Sequence, residues 1–299
     1  MKLITPDYYK DFACIAGRCR HNCCIGWEID IDEDTLELYK NIPGEFGERL
    51  RAGITCGDTP CFKLGEGERC VFLNDRGLCD IILNLGEDAL CDICTDHPRF
   101  RNCFSDRTEK GLGLCCEEAC RIILGQKSPV RLMEMSFDDG TRPLPAEARF
   151  FDERQHVFDV LQDRSLPLGD RFARLTEEYG ITENELTPAE WAEFYRSLER
   201  LDPKWSQWLD ILESMDRFAS PRDVQIWENL AVYMVYRHAA DQSLCSSIAF
   251  AVHTVRLICT LCKATDADFD MICDICRMWS SEIEYSEENT SAVIDKLTY

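Results

Sequence analysis

The chain has 299 residues, and its 33 lysines and arginines against 55 aspartates and glutamates give a formal net charge of −22. We expect neither nucleic acid nor a membrane surface as a partner, because both are negatively charged and bind proteins with a surplus of positive charge. Apolar residues make up 45% of the chain, which is enough for one large core or two smaller ones and excludes a globally disordered protein.

The chain is expected to stay in the cytoplasm. No apolar run approaches the roughly 18 to 20 residues needed to cross a bilayer, and the first residues lack the apolar stretch of a secretion signal. The 19 cysteines are an odd number in a compartment that keeps thiols reduced, so disulfides are disfavoured and metal binding becomes the leading interpretation. The alternative is that some cysteines are small buried apolar residues.

The cysteines divide the chain into two parts. Fourteen lie in the first 120 residues, none lies between residues 121 and 244, and five lie beyond. Turn-forming residues from Gly125 to Pro129 mark the boundary. We therefore predict a mainly α fold, with a cysteine-rich metal-binding module with short strands at residues 1–125 and an all-α helical domain at residues 126–299.

Short elements are predicted in the N-terminal module. Apolar and acidic residues alternate over 27–32, which is typical of a half-buried strand. The sequence NDRG at 74–77 predicts a tight turn that brings Cys70 and Cys79 together. A helix is expected over 117–124.

Helices are predicted throughout the C-terminal part. Thr187 and Glu190 form a capping box around a proline, and the sequence at 220–223 opens another helix in a similar way. Further helices are predicted across residues 146–163, 167–179, 203–217, 242–265 and 267–284.

The candidate metal ligands are eight cysteines of the first part: Cys19, Cys23, Cys24, Cys70, Cys79, Cys91, Cys94 and Cys116. Thiolates are soft donors, which favour zinc or an iron–sulfur cluster over magnesium or calcium. The spacing is not that of a zinc ribbon, whereas iron–sulfur clusters accept ligands from several irregular loops. Both metals stay open at this point, with the spacing favouring the cluster. His21 and His97 could each be a ligand, although such histidines are more often ordinary loop residues.

Two further cysteine pairs lie near the C-terminus, Cys259 with Cys262 and Cys273 with Cys276. Their spacing could form a second, zinc-type site. Both pairs lie in apolar helical stretches, however, where cysteines three residues apart pack on one face. We therefore predict that these four cysteines are buried and structural.

Five short motifs occur in the first 125 residues. They are Cys19-x3-Cys23-Cys24-x2-Trp27, Cys70-x-Phe72-Leu73, Gly77-Leu78-Cys79-Asp80, Leu90-Cys91-x2-Cys94 and Cys116-x2-Ala119-Cys120-Arg121. These motifs resemble those of the flagellin lysine N-methylase family, and a sparser likeness continues at Tyr236-Arg237-His238 and over 280–286. The cysteine pattern is also similar to a broader group of zinc- or iron-chelating domains with a C-x3-C-C signature.

The resemblance implies an enzyme with a [4Fe–4S] cluster that transfers a methyl group from S-adenosyl-L-methionine to lysine side chains of flagellin. The chain departs from the family pattern at His97, Cys120, Ser281 and Tyr285. The last two departures weaken any role for the C-terminal motif. The alternative hypothesis is a non-enzymatic zinc- or iron-binding module with a helical interaction domain.

Methyl transfer needs a base or a desolvated pocket, because a lysine amine attacks the methyl group only after losing its proton. Candidate groups are Glu28, Asp30, Asp32, Tyr233, Tyr236, Glu282 and Glu284. We interpret each as an ordinary surface or core position, so no catalytic residue is predicted. The glycines at 111 and 113 follow a charged segment, which predicts a hairpin turn, and the sequence does not locate the S-adenosylmethionine pocket.

Overall fold

The computed structural model describes residues 1–55, 57, 59–135, 140–182, 185–221 and 225–298. The chain divides into two compact units. The smaller unit is Ala13–Arg99, and the larger unit combines Met1–Phe12 with Phe100–Tyr299. Helices account for most of the regular structure, which confirms the mainly α prediction.

The smaller unit contains short helices joined by long loops: α1 Glu33–Asn41, α2 Gly44–Ala52, α3 Asp80–Leu85 and α4 Asp92–Asp96. The strand predicted over 27–32 is wrong. Ile29 and Ile31 do point into the core, with 2% and 5% exposure, but only an isolated antiparallel bridge between Asp30 and Cys61 forms there. The alternation therefore predicts the burial of Ile29 and Ile31 correctly, whereas Trp27 is 39% exposed and no neighbouring strand extends the pairing.

Asp32 connects two helices of the smaller unit. One carboxylate oxygen accepts from the Thr35 N–H at 2.8 Å and caps α1, and the other accepts from the Asp92 N–H at 2.9 Å at the start of α4. The hydroxyl of Tyr39, on α1, donates to the Ala89 carbonyl at 2.6 Å. These bonds fix α1 against the segment that carries α4.

The turn predicted at 74–77 is confirmed. Oδ1 of Asn74 accepts from the N–H groups of Arg76 and Leu78, and Gly77 has a φ of 70°, which glycine adopts without strain. An antiparallel bridge between Leu73 and Cys79 follows the turn. The chain therefore folds back so that the segment starting at Cys70 meets the start of α3.

The larger unit contains a small mixed sheet with strand order β2-β3-β1-β4. Its strands are β1 Lys2–Pro6, β2 Arg99–Cys103, β3 Arg107–Leu112 and β4 Leu132–Glu134. β1 runs parallel to β3 and antiparallel to β4. Two predictions were wrong here, because β4 lies inside the range predicted to be all-α, and Gly111 lies in strand β3 instead of a hairpin turn.

The remaining elements of the larger unit are helical. They are α5 Glu117–Leu124, α6 Pro145–Leu161, α7 Leu168–Glu178, α8 Pro188–Ser197, α9 Trp205–Glu213, α10 Gln225–His238, α11 Leu244–Ala264, α12 Phe269–Trp279 and α13 Glu287–Thr298. The capping box of α8 is confirmed by reciprocal bonds between Thr187 and Glu190. The helix predicted over 267–284 ends earlier, and a π-helical turn occupies Ser280–Glu284. No sequence pattern predicted α13, and residues 222–223 of the start signal predicted for α10 lie outside the described residues.

The compact units and the cysteine content do not divide the chain at the same place. Residues 100–125 carry cysteines, yet they belong to the larger unit. The reason is that β3 pairs with β1, while α5 packs against α10 and α12. The predicted boundary at residue 125 follows composition, whereas the contacts follow strand pairing and helix packing.

Helix α11 is the most apolar element of the larger unit. Its 21 residues are long and apolar enough to cross a membrane by length and composition, contrary to the prediction that no apolar run approaches that length. In the structure, 83% of its most apolar stretch is buried inside the protein, as in the core helix of a globular domain. Length and composition alone are therefore weak grounds for a membrane span.

Candidate metal centre

Six of the eight predicted ligands lie together in the smaller unit. We call them the thiol centre: Cys23, Cys24, Cys70, Cys79, Cys91 and Cys94. The Cys24 thiol is close enough to Cys70 and Cys79 for their charges to raise its pKa, and Cys94 is affected in the same way by Cys24 and Cys79. Four separate segments of the sequence therefore converge on one place.

Backbone contacts explain this convergence. The Cys70 N–H donates to the Cys24 carbonyl at 2.9 Å, which joins the first segment to the second. Cys79 and Cys91 each occupy the residue before a helix, α3 and α4 respectively. Unpaired N–H groups at a helix start point toward such a side chain and favour its thiolate form.

Neighbouring thiols of the thiol centre change one another's pKa. Burial raises the pKa of the Cys70 and Cys79 thiols, and backbone N–H groups only partly oppose this. The hydrogen bond between Cys23 and Cys24 lowers the pKa of Cys23 and raises that of Cys24. Several thiolates can therefore coexist here only if a cation compensates their charge, which is the condition a soft metal satisfies.

The donor set bears on which metal would suit the thiol centre. Its six thiols are soft donors, which suit zinc or an iron–sulfur cluster. Across the described part of the chain, no three histidine, cysteine or acidic side chains surround one point closely enough to hold a single ion. The buried Nε2 of His97 has no hydrogen-bond partner among the described atoms. Metal binding itself stays a prediction.

The other two predicted ligands are placed differently. The Cys19 thiol donates to the backbone carbonyl of His21 at 3.3 Å, within its own loop. Cys116 belongs to the larger unit, where it occupies the residue before α5. The smaller unit therefore contains seven of the eight candidates, and six of these form the thiol centre.

A buried polar network forms a second notable feature, in the larger unit. The carboxylate of Glu284 accepts from the Tyr233 hydroxyl at 3.1 Å, and it lies 2.7 Å from His238 Nε2 and 3.2 Å from Arg237 Nε. Burial alone would raise the pKa of Glu284, but Arg237 and His238 outweigh burial and lower it. The two C-terminal motifs of the resemblance therefore meet, which spacing in the sequence did not reveal.

Glu284 lies at the end of the π-helical turn that follows α12. Such turns are rare and occur frequently at functional sites, because the extra residue redirects side chains. The carboxylate already receives three donors, so it is a poor proton acceptor for a substrate amine. We interpret the network as a positioning element of α10 and the turn.

Most other candidate bases also have structural partners. Glu282 accepts from the N–H groups of Leu201 and Asp202, and the Tyr236 hydroxyl donates to the Lys110 carbonyl at 3.1 Å. Asp32 caps α1, as described above. These contacts explain the burial of Glu282 and Tyr236 without a catalytic role.

The C-terminal cysteine pairs are buried, as predicted. Together with Cys120 they form a group that we call the core thiols: Cys120, Cys259, Cys262, Cys273 and Cys276. Their exposure is between 0% and 7%, and all five belong to the apolar core of the larger unit. The Cys120 thiol donates to the Cys273 carbonyl at 3.5 Å, which ties α5 to α12.

Comparison with known proteins finds relatives that are named methylases. No family model and no solved structure matches the chain. The chain is similar to proteins named Lysine-N-methylase from Salmonella choleraesuis and Salmonella typhimurium, with 26% identity over 167 residues in each case. That stretch covers 51% of this chain and 41% of each relative, so the chain spans about two fifths of their length.

A shorter relative has a flagellar name. The Flagellar biosynthetic protein FliU of Salmonella muenchen is 26% identical over 145 residues, which cover 45% of this chain and 85% of that protein. These relatives confirm the resemblance inferred from the cysteine motifs.

Proposed function

We propose that the chain is a protein-lysine N-methyltransferase that uses S-adenosyl-L-methionine and carries a [4Fe–4S] cluster in the thiol centre. The observation that carries this proposal is the similarity to proteins named Lysine-N-methylase, combined with six cysteines that converge from four segments. Flagellin is the proposed substrate, because one relative has a flagellar name and the cysteine motifs resemble those of flagellin methylases. The proposed location is the cytoplasm.

The thiol centre would hold the cluster through four of its six cysteines. When bound, the cluster would supply a redox-active iron site and would tie the four segments of the smaller unit together. The contribution of the chain is to bring the thiols together and to limit the effect of burial. Helix-start N–H groups partly oppose the rise in the pKa of Cys79, and the hydrogen bond with Cys94 lowers the pKa of Cys91. The Asp32 carboxylate holds α4 in place beside Cys91.

The transfer itself forms a bond between the lysine nitrogen and the methyl carbon, and it breaks the bond between that carbon and sulfur. S-adenosylhomocysteine leaves, and the amine must lose one proton before it attacks. The net charge of −22 favours encounter with a lysine-bearing protein. The net charge does not by itself select flagellin, so the experiment below tests flagellin directly.

The test is methyl transfer by oxygen-free protein. S-adenosylmethionine with a labelled methyl group is incubated with the chain and with flagellin from the same organism, and lysine labelling is mapped by mass spectrometry. Labelled lysine supports the proposal, and its absence with iron-loaded protein contradicts it. A matched pair of variants controls the assay, since Cys79→Ala should abolish labelling while Cys276→Ala, in the core thiols, should retain it.

A second candidate function is a non-enzymatic iron- or zinc-binding module with a helical interaction domain. The observation that favours it is the coverage, because the matched stretch is only 41% of each methylase. The same experiment separates the two functions. Metal-loaded protein that binds flagellin without labelling any lysine would favour the module.

A further inference from the structure

An open groove of about 1060 Å³ lies in the larger unit, lined by residues of α8, of α13 and of the segment just before α8. Its floor consists of the half-buried apolar side chains of Leu186, Phe194 and Leu297, which pack against the core of the larger unit. Pockets for small molecules have volumes of roughly 300 to 1,000 Å³. The groove is therefore large enough for several residues of a peptide.

The rim of the groove is acidic. Glu185, Glu190 and Asp295 are exposed carboxylates that line it, and Lys296 is the only cation among the described lining residues. Carboxylates therefore outnumber cations three to one at this surface. An apolar floor beneath a negative rim suits a side chain that has an apolar stem and a positive end.

A lysine of the chain itself shows how such a side chain fits. The Lys296 Nζ lies 5.8 Å from the centre of the Phe194 ring, which is within range of a cation–π interaction. The edge of the Phe194 ring meets the buried Trp191, with 5.4 Å between ring centres and 87° between ring planes. The ring is therefore held in place while one face receives an ammonium group.

We propose that this groove binds a lysine-bearing segment of a protein partner. The methylene groups of the partner's lysine would lie on the floor, and its ammonium group would lie among the rim carboxylates. A partner lysine would compete with Lys296 for the Phe194 ring. That this partner is the methyl-accepting substrate rests on the proposed function, whereas binding in the groove requires no methyl transfer.

The test measures the dissociation constant of a short fluorescein-labelled peptide of alternating lysine and leucine, by fluorescence anisotropy with the full chain purified without oxygen. The net charge of −22 attracts such a peptide to any acidic surface, so variants of equal charge must be compared. Glu185→Gln combined with Asp295→Asn removes two rim charges and should weaken binding about fivefold. The matched control, Glu193→Gln combined with Glu288→Gln, removes two exposed charges of α8 and α13 outside the groove. Binding by the control should stay within about twofold of the unaltered protein.

A further substitution should strengthen binding, which a poorly folded variant cannot imitate. Lys296→Ala removes the cation that competes for the Phe194 ring, so the peptide should bind about threefold more tightly. The matched control is Lys263→Ala, which removes an exposed cation of α11 outside the groove. This control should leave the dissociation constant nearly unchanged.

Three results would overturn the inference. They are equal weakening by the two carboxylate pairs, equal binding by Lys296→Ala and Lys263→Ala, and displacement of the peptide by S-adenosylmethionine, which would make the groove a cofactor pocket. Groove-dependent binding without any methyl transfer would instead overturn the proposed function alone. Labelled lysine in flagellin with groove-independent peptide binding would overturn the groove alone, so the two failures are distinguishable.

Discussion

The thiol centre and the core thiols are both groups of neighbouring cysteines, yet their surroundings in the fold differ. Most cysteines of the thiol centre lie in loops or at the residues before short helices, where backbone N–H groups can reach sulfur, and Cys94 lies inside the five-residue helix α4. The core thiols lie within the longer helices of the larger unit, among apolar side chains. Cysteine spacing alone, such as C-x2-C, occurs in both groups and does not distinguish them.

This difference has a physical basis. Within a helix the backbone N–H groups are already bonded to carbonyls, so a buried thiolate there has no donors to stabilise it. Burial accordingly raises the pKa of Cys276 and Cys120, which keeps both as neutral thiols. We therefore expect cysteines in loops and at helix starts to be better placed for a metal than cysteines inside long apolar helices.

The largest expected effect follows from removing a thiol of the centre. Cys79→Ala should reduce bound iron to near zero and lower the melting temperature of the oxygen-free protein, because metal affinity is coupled to folding. Iron analysis and thermal melting, with and without a chelator, measure both effects. Iron retained at the level of the unaltered protein would show that Cys79 is not a ligand.

A second prediction concerns a substitution that destabilises the larger unit without changing a cysteine. Arg154 and Glu109 form a fully buried ion pair with two contacts of 2.7 Å. Glu109→Ala should cost about 3 to 5 kcal/mol, because it leaves the arginine charge buried and unpaired. Denaturant unfolding measures this cost, and folded protein should keep its iron.

The matched control for that substitution is Arg196→Ala. Arg196 contacts Asp210 and Glu213 at the surface, so its loss should change stability by no more than about 0.5 kcal/mol. Equal effects of Glu109→Ala and Arg196→Ala would contradict the account of the buried pair.

The sequence was informative where the signal is local. The capping box at Thr187 and Glu190 and the turn that ends at Gly77 involve residues at most three apart, and both were predicted correctly. The pairing of β1 with β3 joins Lys2 to Arg107, and no local pattern reports it. Local rules therefore located helices α5 to α12, missed α13 and predicted none of the four strands of the sheet.

The candidate site shows the same limit. The motifs identified the cysteines of the thiol centre but not which of the eight candidates converge, because convergence depends on loop paths such as the bond between Cys70 and Cys24. The contact of Glu284 with Arg237 could not be predicted from the sequence either, because a π-helical turn sets the direction of Glu284. Residue types predicted a metal-binding site, whereas tertiary structure determines which cysteines are neighbours and which groups Glu284 contacts.

A pH effect is expected from a buried histidine of the larger unit. Burial, with a contribution from Arg256, lowers the pKa of His253 from its ordinary value of 6.5 to about 3. Below pH 6.5 the unfolded chain binds a proton that the folded chain does not, so stability falls as the pH decreases toward 3. The expected loss from this residue is about 2 kcal/mol between pH 7 and pH 5.

His253→Gln removes this titration and keeps an acceptor for the Tyr195 hydroxyl, which lies 3.0 Å from His253 Nε2. Denaturant unfolding at pH 7 and pH 5 should show a smaller pH dependence in the variant than in the unaltered protein. Identical pH dependence in the two proteins would mean that His253 does not carry the effect.

The smallest expected effect comes from the core thiols, and it tests the comparison most directly. Cys276 is completely buried, and Cys276→Ala removes only the sulfur from a packed core, which should cost about 1 kcal/mol. Bound iron should not change, in contrast to Cys79→Ala. If Cys276→Ala lost iron or unfolded the protein, the core thiols would have to be a second metal site, and helix position would no longer separate ligand cysteines from packing cysteines.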